Sequence, residues 1–280
     1  MAKRKYLSNY SIENIAQSIA RDSEAGKRYG AEEKKKLYRE RLRFAENYPE
    51  LLQILNLDHI RSYPVSWSKR IARVALVPPE MVVVDSRIQD MCSLPFWTYY
   101  GMGEGSFGRC AGVGAFSCCP PFNLPAEKVR LKLDKSDVFL VMQTSPGLMM
   151  SGGDPGAQFQ LINRLAGDID ALMGKGTVVQ KFGGGPCFAC YPESCEGGGV
   201  CREPHLKVPS LEGMGICVDQ LCKDLALLTG DGDWKIRWIK GFGTPDQKPK
   251  KMKATVGLAI QLKDERSSLK GSGQAHPIEI

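Results

Sequence analysis

The chain has 280 residues, of which 42% are hydrophobic, and it carries a formal net charge of +7. This length and apolar content can bury a core, but no apolar run approaches the roughly 18–20 residues that a membrane-spanning helix needs. The ten cysteines and only three histidines point to thiol rather than histidine metal chemistry.

The first residues are charged and are not followed by an apolar block, so we expect no secretory signal and a cytoplasmic protein. In that reducing compartment, cysteines are more typical of metal ligands than of disulfides. Basic residues concentrate in segments 3–43 and 235–270, where acidic residues interrupt them. We therefore predict a solvated surface or a docking face for a protein partner, without nucleic-acid binding or membrane insertion.

Residues 1–60 are predicted to form a helical N-terminal extension. Ile12, Ile15 and Ile19 have helical spacing, with Ser11 as a candidate cap, and a second helix is predicted from about residue 31 to 48. The apolar stripes favour a scaffold that packs on the rest of the chain, and a clamp on a partner subunit is the alternative.

Residues 61–265 are predicted to form the main domain, which begins with β-branched residues on either side of Pro78 and Pro79. This pattern predicts a strand, a turn and a second strand. Further along, residues 137–143 read as a buried strand, 154–172 as an amphipathic helix and 177–182 as another strand. The expected fold is α+β, with a ferredoxin-like, βαβ-containing sheet whose last strand leads into a cysteine-rich loop.

The end of this domain is predicted to contain a helix over residues 218–228, followed by two strands over 234–242 and 254–262. Cys222, on the helix, is expected to be a core residue. Residues 266–280 are rich in serine and glycine and are predicted to form a mobile tail.

The segment 183–201 carries the strongest chemical signal, a C-x2-C-x4-C-x5-C pattern among glycines and prolines. Such a segment cannot pack a core of its own, whereas a metal centre bound by four sulfurs would define its shape. Two disulfides would need an oxidising compartment, and structural zinc usually takes two C-x2-C pairs, of which only one is present. We favour a [4Fe–4S] cluster over zinc, with these ligands: Cys187, Cys190, Cys195 and Cys201.

A second glycine-rich region, residues 92–121, contains candidates for a second cluster: Cys92, Cys110, Cys118 and Cys119. Side chains of adjacent residues diverge along an extended backbone, so Cys119 is expected to be the better ligand and Cys118 a spare or a ligand of a neighbouring centre. Cys217 is also available if the two loops fold together. Alternatively, some of these cysteines are small buried residues without ligands.

These spacings resemble a known family. The pattern CxxC(x4)C(x5)CREP of residues 187–204, followed by PSLEGMGICV, is similar to the cysteine-rich predicted metal-binding proteins catalogued as domain of unknown function 2284. The family's cysteine, eight residues and CPP are matched by Cys110 and by Cys119 with its two prolines. The resemblance covers roughly residues 90–262 and implies metal binding, with iron–sulfur as the expected centre. Where the family often has another cysteine this chain has Phe107, and Cys92 or Cys118 would take that place.

The favoured function is an iron–sulfur protein that serves as an electron-transfer or accessory subunit of an anaerobic redox enzyme complex. The segments 101–105 and 183–185 lack the residues that complete a phosphate-binding loop, and no Ser/His/Asp or Cys/His set stands out. An enzyme with a site-differentiated [4Fe–4S] cluster is the second hypothesis, and a zinc-stabilised interaction module is the third. In the enzyme, nearby polar residues would bind or protonate a substrate: Arg109, Arg202, Glu193 and His205.

Overall fold

A computed structural model shows a mixed helix and sheet protein, in agreement with the predicted α+β class. The structure describes residues 12–94, 96–98, 106–108, 110, 112–146, 156–185, 187–190, 195, 200–235 and 253–262. Among these residues, no helix is both long and apolar enough to cross a bilayer.

The N-terminal region is helical, as the apolar spacing predicted. Its helices are α1 (Ile12–Asp22), α2 (Glu24–Arg28), α3 (Ala31–Ala45), α4 (Pro49–Ile54) and α5 (Leu57–Ser62). Proline at the first position of α4 is tolerated because the first N–H groups of a helix have no intrahelical partner. The predicted cap Ser11 lies outside the described residues.

The rest of the described chain alternates strands with helices. The strands are β1 (Ile71–Val77), β2 (Phe96–Thr98), β3 (Ser106–Gly108), β4 (Val138–Thr144), β5 (Val178–Phe182) and β6 (Thr255–Ile260). The helices are α6 (Ser86–Asp90), α7 (Ala126–Asp134), α8 (Ala157–Met173) and α9 (Val218–Thr229). Predicted strands or helices are confirmed at β1, β4, α8, β5, α9 and β6.

Four of the described strands form one antiparallel sheet in the order β1-β4-β6-β5. Both β4 and β5 are antiparallel to β6, so they run in the same direction with β6 between them. The unit β4–α8–β5 is therefore a split βαβ arrangement. The complete ferredoxin-like topology stays a prediction. Gly257 is needed in β6, because a methyl group there would lie 2.6 Å from Cζ of Phe139.

The sheet has a hydrophobic core on each face, because successive side chains of a strand point to opposite sides. Along β4, Leu140 and Met142 face one core with α4, α5 and α8, whereas Phe139 and Val141 face the other with α7 and α9. Residues of α3, α4 and α5 thus share a core with the sheet. The division at residue 60 into an extension and a domain stays a prediction.

One predicted strand is wrong. After Pro78 the chain forms a 3-10 turn over Pro79–Met81, and residues 82–84 contribute only a single bridge, between Val84 and Ile216. The apolar side chains here are buried, but α6 and α7 cover this region and no strand in the described part of the chain continues the ladder. In the predicted strand 234–242, Trp234 is buried outside any strand and residues 236–242 lie outside the described residues.

Candidate metal centre

The chain enters the cysteine-rich segment 183–201 directly from β5. At Gly183 it forms a parallel bridge with Ser210, and the N–H of Gly183 donates to the carbonyl of Pro209 at 2.7 Å. This pairing brings Val208 beside Cys187. The loop therefore begins on rigid sheet structure, which is a common way to position a functional loop.

Three buried cysteines from the two cysteine-rich segments pack together and form what we call the buried thiol group: Cys118, Cys119 and Cys187. These residues are 1%, 5% and 7% exposed, and they pack with Phe116, Phe159 and Ala189. The side chain of Cys118 interacts with those of both Cys119 and Cys187. Two cysteine-rich segments, predicted separately from the sequence, therefore meet in one place.

Cys110 lies at the edge of the buried thiol group. A methyl group on Gly112 would lie 2.8 Å from Sγ of Cys119 and 3.5 Å from Sγ of Cys110, so both sulfurs face this glycine. Cys92 lies near Cys110, because β2 and β3 pair and bring the chain back, and the N–H of Cys110 donates to the carbonyl of Cys92 at 3.4 Å. The glycine lets the backbone approach two sulfurs closely.

Backbone amides surround the sulfur of Cys187. The N–H of Val208 donates to Sγ at 3.3 Å, and the N–H of Ala189 donates at 3.4 Å. Amide donors of this kind stabilise negative charge on a sulfur, and they tune the reduction potential of thiolate-bound metal clusters.

A second set, which we call the Ser117 thiol group, consists of Cys190, Cys195 and Cys201. The side chain of Cys190 interacts with those of Cys195 and Cys201, and the backbone N–H groups of residues 202 and 203 also interact with it. Sγ of Cys195 lies 3.6 Å from Oγ of Ser117, and Cys201 interacts with the same hydroxyl. Ser117 precedes Cys118, so it joins this group to the buried thiol group.

The pKa values of the thiols differ between the two groups. Contact with Cys119 and burial raise the pKa of Cys118 to about 12, and contact with Cys118 and burial raise that of Cys187. Burial opposes ionisation of Cys190, but the N–H groups of residues 202 and 203 and the neighbouring thiols outweigh it and lower its pKa. Burial raises the pKa of Cys201. Without a metal, the thiols of Cys118 and Cys187 are therefore protonated at neutral pH.

The remaining cysteines, Cys92, Cys217 and Cys222, belong to neither thiol group. Burial and the nearby charge of Glu212 raise the pKa of Cys92 to about 12. Cys217 packs against α1 and α6 and lies 3.6 Å from the carbonyl of Ala16, so the structure does not bring it to the other thiols. Cys222 is on α9 and faces the core, which confirms its prediction as a core residue.

Of the four polar residues predicted to contact a substrate, the structure describes two. Arg109 and Glu193 lie outside the described residues. His205 is exposed, 3.7 Å from a carboxylate oxygen of Glu203, and Arg202 lies beside Cys190 through its backbone.

The donor chemistry fits a thiolate-bound metal. Within the described residues, no three His, Cys, Asp or Glu side chains are close enough together to hold a metal ion as they are placed. The thiols of Cys118, Cys187, Cys190 and Cys195 instead make contacts with neighbouring thiols or a hydroxyl, and backbone N–H groups support those of Cys187 and Cys190. Such a set is appropriate for an iron–sulfur cluster or for zinc bound by cysteines.

The grouping of the thiols differs from the sequence-based prediction. Among the described residues, Cys187 interacts with Cys118 rather than with the other cysteines of its own segment, and Cys118 interacts with Cys119 instead of diverging from it. Sequence analysis also missed Ser117 and Val208. Ser117 was recognisable only as the neighbour of two cysteines, and no sequence signal indicates that Val208 donates to sulfur.

These features define an α+β protein in which two cysteine-rich segments meet beside one strand end of an antiparallel sheet. Residues 103–234 match the family model described as predicted metal-binding protein (DUF2284), which confirms the resemblance found in the cysteine spacing. No curated protein and no solved structure matches the chain.

Proposed function

We propose that this chain is an iron–sulfur protein that acts as an electron-transfer or accessory subunit of an anaerobic redox enzyme complex. The observation that carries the proposal is the meeting of Cys118 and Cys119 with Cys187, although the chain supplies them from separate loops. Free cysteine often packs as a small apolar residue. A glycine-rich loop that gathers several thiols and directs amides to one of them is better explained by metal binding.

The ligands of a [4Fe–4S] cluster would come from the buried thiol group, with Cys110 as the fourth sulfur. The Ser117 thiol group would hold a second centre with Cys190, Cys195 and Cys201. This assignment moves Cys187 away from its sequence neighbours, as the observed contacts favour. Cys92 lies beside Cys110 and is the alternative fourth ligand of the first centre.

When bound, a [4Fe–4S] cluster supplies one-electron transfer at a potential set by its surroundings. The protein itself binds the cluster and sets its reduction potential. The N–H groups of Val208 and Ala189 stabilise the thiolate of Cys187, and burial excludes water from it. The thiols of Cys118 and Cys187 would each lose a proton on metal binding, because their raised pKa values keep them protonated otherwise.

The second candidate is an enzyme with a site-differentiated cluster, and a specific contact favours it. The Ser117 thiol group offers three sulfurs, and its fourth neighbour is the hydroxyl of Ser117 rather than a cysteine. A metal held by three thiolates keeps one position open, where a substrate oxygen or nitrogen can bind and be polarised.

Anaerobic purification of the full chain tests the proposal. We expect about four irons and four acid-labile sulfides per cluster, with an EPR signal that appears on one-electron reduction. Stoichiometric zinc without iron or sulfide would overturn it and support a zinc-stabilised interaction module. Thiols paired as disulfides under anaerobic conditions would also overturn it.

Addition of cyanide to the reduced protein distinguishes the relay from the enzyme. A cluster with an iron that is not bound by cysteine will change its EPR spectrum, because cyanide occupies the open position. A fully cysteine-bound cluster will keep its spectrum. Ser117→Ala is the matched variant, since it removes the hydroxyl next to the three thiols and leaves every cysteine in place.

A further inference from the structure

A cavity of about 540 Å³ lies along the edge strand β5, between α7, α8 and residues 204–209. This volume falls within the range of about 300–1,000 Å³ that is typical of small-molecule sites. Part of its wall is apolar and includes Leu206 and Met214. The cavity does not contain the cysteines described above.

Three lysines line this cavity: Lys132, Lys181 and Lys207. Nζ of Lys132 donates to the side-chain oxygen of Gln180 at 2.7 Å, and Nζ of Lys207 donates to the carbonyl of Ser117 at 2.6 Å. Nζ of Lys181 donates to the side-chain oxygen of Asn163 and to the carbonyl of residue 205.

All of these acceptors are neutral groups. Among the described residues, no carboxylate lies within ion-pair distance of any of the three ammonium groups. The three ammonium groups are therefore hydrogen-bonded, but no ion pair neutralises their charge.

The other charges at the cavity do not cancel the lysines. Asp170 is the one carboxylate among the lining residues, and one of its oxygens accepts the N–H of Val178 at 2.8 Å. His205 is exposed and adds positive charge only when protonated. Burial lowers the pKa of Lys132 and Lys181. Repulsion from Lys135 and Lys207 adds to the effect on Lys132, whereas attraction to Cys187 and Asp170 partly opposes the effect on Lys181. Like charges held around a partly desolvated space would be stabilised by an anion.

We propose that this cavity binds a small organic anion that carries a carboxylate or phosphate group. The ammonium groups of Lys132, Lys181 and Lys207 neutralise the anionic group, and the apolar wall contacts the hydrocarbon part of the ligand. Neutral acceptors hold the lysines in place before the ligand arrives, which reduces the entropy that binding would cost.

This site adjoins the Ser117 thiol group without depending on its metal. Lys207 donates to the carbonyl of Ser117, whose hydroxyl lies 3.6 Å from Sγ of Cys195. Substitution of Lys207 would thus disturb both sites at once. Lys132 and Lys181 are the appropriate residues to test, because neither donates a hydrogen bond to a cysteine or to Ser117, although Lys181 is near enough to Cys187 for an electrostatic interaction.

Isothermal titration calorimetry of the full chain, at constant ionic strength, tests the proposal with citrate and with inorganic pyrophosphate as probes. We expect saturable 1:1 binding of at least one probe, and the probe that binds more tightly identifies a carboxylate or a phosphate ligand. Lys132→Gln and Lys181→Gln should each weaken binding at least tenfold. Lys135→Gln is the matched control, because it removes the same charge from an exposed position outside the cavity lining but near Lys132.

A second variant tests the cavity without changing its charge. Gly167 lines the cavity, and a side chain added there would meet no atom within 4 Å. Gly167→Phe should fill the space and abolish binding while α8 remains folded by circular dichroism.

The proposal is overturned if neither probe binds saturably, or if Lys135→Gln weakens binding as much as Lys132→Gln. Binding of long RNA without binding of either small anion would also overturn it. Iron and sulfide content, measured on the same samples, reports separately on the metal centre, so failure of one proposal does not imply failure of the other.

Discussion

The thiols of Cys118 and Cys187 contact one another in the interior, although one follows the β2–β3 hairpin and the other follows β5. Both residues are at least nine-tenths buried, and their pKa values are raised. Two buried thiols that contact each other at the end of a sheet connect the two cysteine-rich segments into one site.

We expect Cys187→Ala to remove most of the bound iron and sulfide, since it deletes a sulfur in the middle of the buried thiol group. The matched control is Cys222→Ala, which also deletes a buried thiol but lies beside Gln143 and Thr255 in the core. That variant should keep the full metal content and lose only packing energy. Metal analysis after anaerobic purification checks both, and equal metal loss in the two variants would contradict the assignment.

Gly112→Ala should lower metal content without removing any sulfur. The added methyl group would lie 2.8 Å from Sγ of Cys119, a distance that requires the sulfur or the loop to move. Overpacking of this kind typically costs about 1–3 kcal/mol. Gly167→Ala is the control, because a methyl group there meets nothing within 4 Å, and helix α8 should become more stable by roughly 0.5–1 kcal/mol. Full metal binding in Gly112→Ala would show that Cys119 is not a ligand.

The ion pair between Lys34 on α3 and Asp224 on α9 should contribute to the free energy of unfolding, because it joins the two helices. Nζ of Lys34 lies 2.7 and 2.8 Å from the two carboxylate oxygens, and each side chain is 8% exposed. Lys34→Met leaves a buried carboxylate whose remaining partner among the described residues is Gln220, and we expect a loss of about 3–5 kcal/mol in the free energy of unfolding.

The double variant Lys34→Met with Asp224→Leu should recover most of that loss, because it leaves no charge unpaired. Lys35→Met, which breaks an exposed pair with Glu32, should change the free energy of unfolding far less than Lys34→Met does. Urea unfolding measures all three. A double variant as unstable as Lys34→Met would mean that packing, not the unpaired charge, caused the loss.

Glu212 should make the stability depend on pH near neutrality. Burial raises the pKa of its carboxyl from 4.5 to about 7. Between these values the folded chain binds more protons than the unfolded chain, so this residue lowers the free energy of unfolding as pH rises through that interval. Glu212→Gln should therefore be more stable than the original protein at pH 8, by roughly 1–3 kcal/mol, and much closer to it at pH 5.

Urea unfolding at pH 5 and pH 8 measures this difference. Glu127→Gln, at an exposed position on α7, is the control and should have the same small effect at both pH values. An equal effect of Glu212→Gln at the two pH values would show that the carboxyl of Glu212 is not buried in solution.

Local patterns were enough to locate most of the described elements. The alternation of α8 with β4 and β5 follows from helical spacing in one segment and continuous apolar runs in the others. The error at residues 82–84 has a physical reason. A run of β-branched residues predicts burial, but strand structure also needs a neighbouring strand for its hydrogen bonds, and here only Val84 finds a bridge partner.

The cysteine spacing established which segments carry thiol chemistry and which family model matches, since both depend on order along the chain. Which thiols share a site depends instead on how distant segments meet, and no local pattern specifies that. Cys187 contacts Cys118 because β5 and the bridge between Gly183 and Ser210 direct its loop there. The lysines at the cavity come from α7, β5 and the segment after Pro204, so their shared charge arises only when the sheet and its helices pack together.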